Sequence, residues 1–294
     1  MGAPATVTLD SGRATAEIAP PVGARLMRWS VNGRPVLHWP EAADWSAPAK
    51  IRGGNPLLFP LIARTFLDGK PGLWRDPEGR VRPAPRHGLV RAARFETVEL
   101  DGSHVVMRAA REDSMAEAWP FPFIFTVSYA LEETTLAADF TVENTGDRTM
   151  PYSAGHHFYF DLPAAERGDW RLEGEFRSCA RQDAAGRIVS AGAPPGGGVL
   201  SDPEMVDLFH IGLPARGTLL RNRADGREVV FGSGADGDNP WYAVTTWTES
   251  PSSDFYCVEP WTALPDAVHN GRGLRLLKPG ARETLRLRLT ARGW

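Results

Sequence analysis

The chain has 294 residues and a formal net charge of −3. That length supports a substantial core, and the near-neutral balance, with no basic stripe, argues against a nucleic-acid partner. No apolar run approaches the roughly 18 residues of a membrane helix. The two cysteines, Cys179 and Cys257, make no disulfide framework, and Met1-Gly2-Ala3-Pro4-Ala5 shows neither a basic nor an apolar leader. A soluble, cytoplasmic protein without a membrane partner is expected.

The readable elements, in chain order, are strands and tight turns. Leu26 to Val31 and Pro35 to Trp39 flank Asn32-Gly33, a dipeptide that favours a two-residue hairpin. Phe95 to Leu100 and His104 to Arg108 flank Asp101-Gly102 in the same way. Phe125 to Leu131 and Leu136 to Val142 read as a further antiparallel pair. After a Pro279-Gly280 turn, Leu285, Leu287 and Leu289 alternate with Arg286, Arg288 and Thr290, the pattern of a half-buried strand. Helical periodicity is nearly absent, and the 30 glycines and 25 prolines mark turns between apolar strands rather than disorder. Ala193 to Gly198 reads as a surface loop, not a linker. The expectation is an all-β chain, residues 1–294 forming one large antiparallel β-sandwich.

Four segments carry candidate chemistry. In Tyr152 to Leu162, strand alternation puts His157, Tyr159 and Asp161 on one face and His156, Phe158 and Phe160 on the other. The first face is polar and the second resembles core, so His157 is the functional candidate and His156 a buried or rim histidine. Neighbouring strand residues do not converge on one ion, and no His-x-His or Cys-x-x-Cys spacing occurs, so no metal is expected. Glu259 ends an apolar run, and Pro260 is expected to stop ladder pairing beyond it. Such a carboxylate suits a general base, its pKa raised by burial; it equally suits an edge charge that blocks aggregation. In Arg86-His87-Gly88, the glycine permits close backbone approach. Gly53-Gly54-Asn55-Pro56 leads to Arg64, with no Gly-Lys-Ser/Thr to make a phosphate loop.

Taken together, these segments resemble the aldose 1-epimerase (galactose mutarotase-like) family. Gly53-Gly54-Asn55-Pro56-Leu57-Leu58-Phe59-Pro60 is similar to its Gly-Gly-x-Pro-x-Leu-Phe-Pro signature, and Arg64 falls where the family has a substrate-contacting arginine. His87-Gly88-Leu89-Val90-Arg91 resembles its His-Gly-x-x-Arg motif, and His157-Phe158-Tyr159-Phe160 its His-x-Tyr-Phe motif. Val258-Glu259-Pro260-Trp261-Thr262 resembles the segment around its catalytic glutamate, and Val206-Asp207-Leu208-Phe209 the stretch supplying a sugar-binding aspartate. Asn55 departs from the family, which usually has an apolar residue or cysteine there.

The resemblance implies a β-supersandwich with its site in the cleft of one sheet, and a mutarotase that needs no cofactor and takes a small sugar. Glu259 would remove the anomeric proton and His157, as imidazolium, would protonate the ring oxygen, the two on opposite sides of the sugar. Arg64 and His87 would orient the substrate, and Asp207 would accept hydrogen bonds from hydroxyls. Activity is then expected to fall at acid pH as Glu259 titrates. Other readings share parts of this pattern: a hexose-phosphate epimerase, a non-catalytic sugar sensor, and a glycosidase, which would want two opposed carboxylates. Arg75, Arg80, Arg82 and Arg86 bear on the first, but Asp76 and Glu78 interleave them, so a solvated loop is expected.

Overall fold

The computed structural model describes residues 2–192, 196–212, 217–233 and 239–294. Half of the loop expected at residues 193–198 lies outside them, and Gly197 and Gly198 enter a strand, Gly197–Val199. Two antiparallel sheets dominate. The larger runs, in spatial order, Glu96–Leu100, His104–Ala110, Phe123–Glu132, Thr135–Asn144, Arg288–Arg292, Glu228–Gly232, Thr218–Asn222, Trp170–Glu173 and Gly197–Val199. The second runs Ile188–Ala191, Ser178–Gln182, Leu208–Ile211, Ala243–Trp247, Tyr256–Trp261, Gly155–His156 and Leu57–Leu58, with Phe158–Phe160 also pairing with Tyr256–Trp261. Among the described residues the α-helix is a single turn, Ala267–Asn270.

Period-two patterning builds the core. Along Phe123–Glu132, residues Phe123, Phe125, Val127, Tyr129 and Leu131 are buried while the alternate positions are half-exposed. Leu136, Ala138, Phe140 and Val142 repeat this on the partner strand. They meet Phe158, Phe160, Leu208, Val244, Tyr256 and Val258 of the second sheet in one cluster that reaches from Leu9 to Ala291. The opposite face of the second sheet is thereby left to carry the cleft.

The expected hairpins form with adjusted lengths. Asn32 and Gly33 both have positive φ, 49° and 75°, as a two-residue turn of this hand requires, but the return strand is only Arg34–Pro35. At Asp101-Gly102, the Asp101 carboxylate accepts the Ser103 and His104 N–H groups, and this side-chain cap shapes the turn. The C-terminal alternation holds, with Leu285, Leu287 and Leu289 buried, but the strand is interrupted between Arg282–Leu285 and Arg288–Arg292.

One crossing matters for the site. Gly54 has φ 66°, and a Cβ there would lie 2.1 Å from the Leu26 carbonyl oxygen. The close approach lets Asn55 N–H donate to that same oxygen at 2.7 Å, which fixes where the Asn55 side chain enters the core. Gly54→Ala is expected to cost roughly 1–3 kcal/mol of stability, from left-handed strain and overlap. Gly102, with open space around its Cα, should tolerate alanine. Urea denaturation of both variants tests this.

Candidate active site

Register brings the candidate acid and base together. Phe158 pairs with Val258, and Gly155 pairs with Trp261, in one continuous register. That register sets His157 opposite Glu259 and His156 opposite Pro260. Proline has no N–H to give the ladder, and the pairing lapses there, but the strand does not stop: Tyr256–Trp261 runs through Pro260, which pairs with Val244 on its other side. The sequence expectation that Pro260 ends pairing is thus corrected to a gap on one edge. On the opposite edge of this strand, facing away from Pro260, His157 N–H donates to Asn55 Oδ1 at 2.8 Å, as Tyr159 N–H donates to the Gly54 carbonyl oxygen at 2.8 Å.

His157 Nε2 lies 3.4 Å from Glu259 Oε2, and both residues are buried, at 7% and 1% exposure. The two groups stand side by side on one sheet face, which corrects the expectation of opposite sides. The geometry still suits one anomeric centre, because the ring oxygen and the anomeric oxygen are bonded to the same carbon. Thr245 pairs with Glu259, and Phe209 with Thr245, so a row of cleft-facing residues crosses the neighbouring strands. The next row is Trp247, Cys257 and Tyr159.

All of these but the fully buried Cys257 form the floor of a cavity of about 440 Å³. All five sequence candidates line it: Arg64, His87, His157, Asp207 and Glu259. Asp161, further along the same segment, does not line the cavity and stands beside His38 at 3.7 Å. Of the arginine loop, Arg82 is paired with Asp76 at 2.5 Å, whereas Arg86 reaches the cavity. The cavity also holds residues that sequence reading passed over, among them Arg25, Arg52, Thr245, Trp247 and Trp261. For Thr245 and Trp247 a signal existed: they alternate with buried Val244 and Thr246 along Ala243–Trp247. The arginines had none, since their contacts are with distant loops.

Four buried polar atoms on this wall lack a hydrogen-bond partner: His157 Nδ1, Thr245 Oγ1, Glu259 Oε2 and Trp261 Nε1. Buried polar groups are otherwise nearly always paired. A concentration of unpaired donors and acceptors among Tyr159, Phe209, Trp247 and Trp261 suits a compact polyhydroxyl ligand with apolar ring faces.

Electrostatics separates the titratable groups. Burial raises the Glu259 carboxyl well above its usual range, and the Asp207 carboxylate adds to this. Burial lowers His157 to about 3, with Arg25, Arg91 and Arg52 opposing its charge. His87 is lowered well below its ordinary value by burial, then by His157 and Arg91. Ala63 N–H donates to His87 Nδ1 at 3.1 Å, so neutral His87 carries its proton on Nε2 and acts as a donor. Its ring meets that of His157 edge-on at 5.2 Å.

Asn55 holds the histidine pair in register. Its Oδ1 takes the His157 N–H, and its Nδ2 donates to His156 Nδ1 at 2.9 Å. His156 is fully buried and stacked on Phe140, with ring centres 4.1 Å apart, and on Phe158. The departure from the family at position 55 is therefore joined to a second polar residue at 156. Metal-binding capacity is confined, among the described residues, to His157, Cys257 and Glu259, whose ligand atoms lie within 4.8 Å of one another. Burial holds the Cys257 thiol well up, against the thiolate a metal wants. Arg25, Arg52 and Arg91 around His157 also repel a dication.

The two histidines should respond differently to the same change. His157→Asn is expected to lower turnover by about 10²-fold or more in a folded protein. His156→Asn should act mainly on stability, costing roughly 1–3 kcal/mol through its broken buried contacts. Melting curves and turnover on both variants distinguish the roles; equal loss of turnover in two folded variants would refute the assignment.

Comparison with known proteins bears on the family and the fold. The sequence profile of the aldose 1-epimerase family matches residues 5–191. The chromosomal LacX protein of Lactococcus lactis is 26% identical over 251 residues, 77% of this chain and 80% of that one. The crystal structure of the Slr1438 protein from Synechocystis superposes with a TM-score of 0.81 at 21% identity, covering 100% of this chain and 97% of that one. A galactose mutarotase-like protein from Lactobacillus casei gives 0.79 at 20% identity, covering 98% and 100%. The fold is that of the galactose mutarotase-like proteins, and the chain belongs to the aldose 1-epimerase family.

Proposed function

We propose that the protein interconverts the α and β anomers of an aldose by acid–base ring opening, with Glu259 as base and His157 as acid. The observation that carries this reading is the 3.4 Å pair on the floor of a cavity lined by unpartnered polar atoms and aromatic rings.

Ring opening moves two protons and breaks one bond. The carboxylate of Glu259 takes the anomeric hydroxyl proton, the C1–O bond to the ring oxygen breaks, and His157 gives its proton to that oxygen. The open aldehyde turns about C1–C2. In reclosure, Glu259 returns a proton to the carbonyl oxygen and His157 recovers its own from the attacking hydroxyl. Neutral His87 and the Arg64 guanidinium orient the sugar as donors, and Asp207 accepts from hydroxyls. Nothing is oxidised or hydrolysed.

The opposed pKa shifts serve this scheme. A carboxylate with a raised pKa is a stronger base, and an imidazolium with a lowered pKa a stronger acid. The reactive form, Glu259 anion with His157 cation, holds the same single proton as a Glu259 acid beside neutral His157. One proton moving across the gap interconverts them, so the pair titrates as a unit.

A pH consequence follows. Independent groups would confine activity between ordinary glutamate and histidine values, about 4.3 and 6.5. In the buried pair the second proton is added only near the His157 value of about 3. The last is lost only above the raised Glu259 pKa. The acid limb, first expected from Glu259, therefore belongs to His157. The exchange rate is expected to stay level as pH falls through 4.3, the ordinary carboxylate value; a loss centred there in folded protein would contradict the coupled pair.

The decisive experiment is NMR exchange spectroscopy on aldose anomers, in EDTA-treated protein. Wild type should accelerate exchange, and Glu259→Gln should lower turnover by roughly 10²-fold or more. Affinity should change far less, because the amide still bonds hydroxyls. Retained turnover in folded Glu259→Gln would remove Glu259 from the chemistry. Sugar binding by wild type without exchange would favour a sensor.

A further inference from the structure

The cavity carries more positive charge than acid–base chemistry needs. Lys50, Arg64, Arg86 and Arg91 line it and, among the described residues, none has a side-chain hydrogen bond or ion pair. The other two cations there are committed. Arg25 donates to the carbonyl oxygens of Pro48, Ile51 and Gly53, and Arg52 is paired with Glu249 at 2.9 Å. Facing the four free cations is one exposed carboxylate, Asp207, since burial disfavours charge on Glu259.

Such a cluster is self-repelling. Arg86 feels Arg64 and Arg52, with only Asp207 in compensation, and Arg91 feels Arg86 and Arg52. Elsewhere some arginines are paired, as with Arg221 and Arg292 on Glu228 or Arg227 on Asp225 and Glu166, and others stand singly and apart. What sets these four apart is convergence: they line one cavity, the one that holds the acid–base pair. A concave wall of one sign focuses the field on its opening and attracts an anion.

Depth places that anion. Glu259 and His157 are on the buried floor, whereas Lys50, Arg64 and Arg86 are exposed at the mouth. Lys50 and Arg91 are brought together because the Pro48–Lys50 and Val90–Ala92 turns pack on each other. A sugar with C1 at the floor would present its far end to these side chains.

We propose that the substrate is an aldose with an oxyanion, a phosphate monoester or a carboxylate, on a carbon remote from C1, held at the cavity mouth by Arg86 and Lys50 with Arg64 and Arg91. This rests on the epimerase reading for the position of C1, but the anion site itself does not. Guanidinium forks match both oxyanions in geometry and charge.

The test measures binding by calorimetry and anomer exchange by NMR for glucose and galactose, their 6-phosphates and their uronates. At least one charged sugar should show kcat/KM about tenfold or more above its parent hexose, the scale of a charged hydrogen bond. Its affinity should fall as salt rises. Preference for the 6-phosphate or for the uronate identifies which oxyanion. Arg86→Gln should lower the charged-to-neutral ratio about tenfold through KM, and Arg86→Lys should restore part of it; the side chain is exposed, so folding is retained. Exchange of the neutral hexoses with no gain for any charged sugar overturns the anion site and leaves the epimerase standing. Binding of a charged sugar without exchange of any anomer supports the anion site and removes the epimerase. Binding of none of the six overturns the proposal.

Discussion

Glu259 and His157 face each other because two strands keep one register across a point where they cannot hydrogen-bond. Pro260 offers no N–H to its neighbour, so the backbone opposite it is released from the ladder. On the other edge of the same strand the His157 N–H finds a side-chain acceptor, Asn55 Oδ1. The rest of the site depends on that register. The sheet fixes the spacing of the pair to within a side chain's reach. Because the residues on either side remain in register, the position is rigid although its backbone bond is irregular.

The cost of this placement falls on the protein's polar groups, and the core answers it with a network. Asn55 satisfies both the His157 backbone and the His156 ring, and aromatic rings enclose His156. The two Asn55 bonds fix one orientation of its amide and of the His156 ring. On the cleft side the balance is left open: His157 Nδ1, Thr245 Oγ1 and Trp261 Nε1 are buried without a hydrogen bond, and Glu259 Oε2 has only the 3.4 Å approach of His157 Nε2. The inner face is thus held by the Asn55 bonds and by ring stacking, with His156 Nε2 left unpaired, while the outer face turns its unpaired atoms to the cavity.

Electrostatics reinforces that division. Desolvation alone would push a glutamate up and a histidine down. The arginines behind His157 deepen the second shift, and Asp207 deepens the first. Arg25 makes this possible: its guanidinium, buried and bonded to three backbone carbonyl oxygens, anchors the loop that carries Lys50 and Arg52 to the cavity. A structural cation and its loop therefore set both the acidity of a histidine and the sign of the cavity mouth.

Much of this was legible in the chain itself. Alternation separated His157 with Tyr159 from His156 with Phe158 and Phe160, because side-chain direction on a strand is a local property of the backbone. Asn32-Gly33 marked a hairpin through its left-handed turn, and the leucines from 285 to 289 marked a one-sided strand for the same local reason. The ordered motifs around Arg64, His87, Asp207, His157 and Glu259 pointed to a family and a set of site residues before any were near one another. What the sequence could not contain was distance. Whether His157 and Glu259 stand side by side or on opposite sides of a sugar depends on register between segments a hundred residues apart. Whether Arg82 or Arg86 turns to the cavity depends on Asp76 capturing the first. That Asn55 binds two histidines, and that Arg25, Arg52 and Arg91 encircle one of them, are products of long-range packing. Local chemistry fixes which face a side chain takes; only the folded chain decides what it meets there, because burial, pairing and charge are shared among residues that the sequence keeps apart.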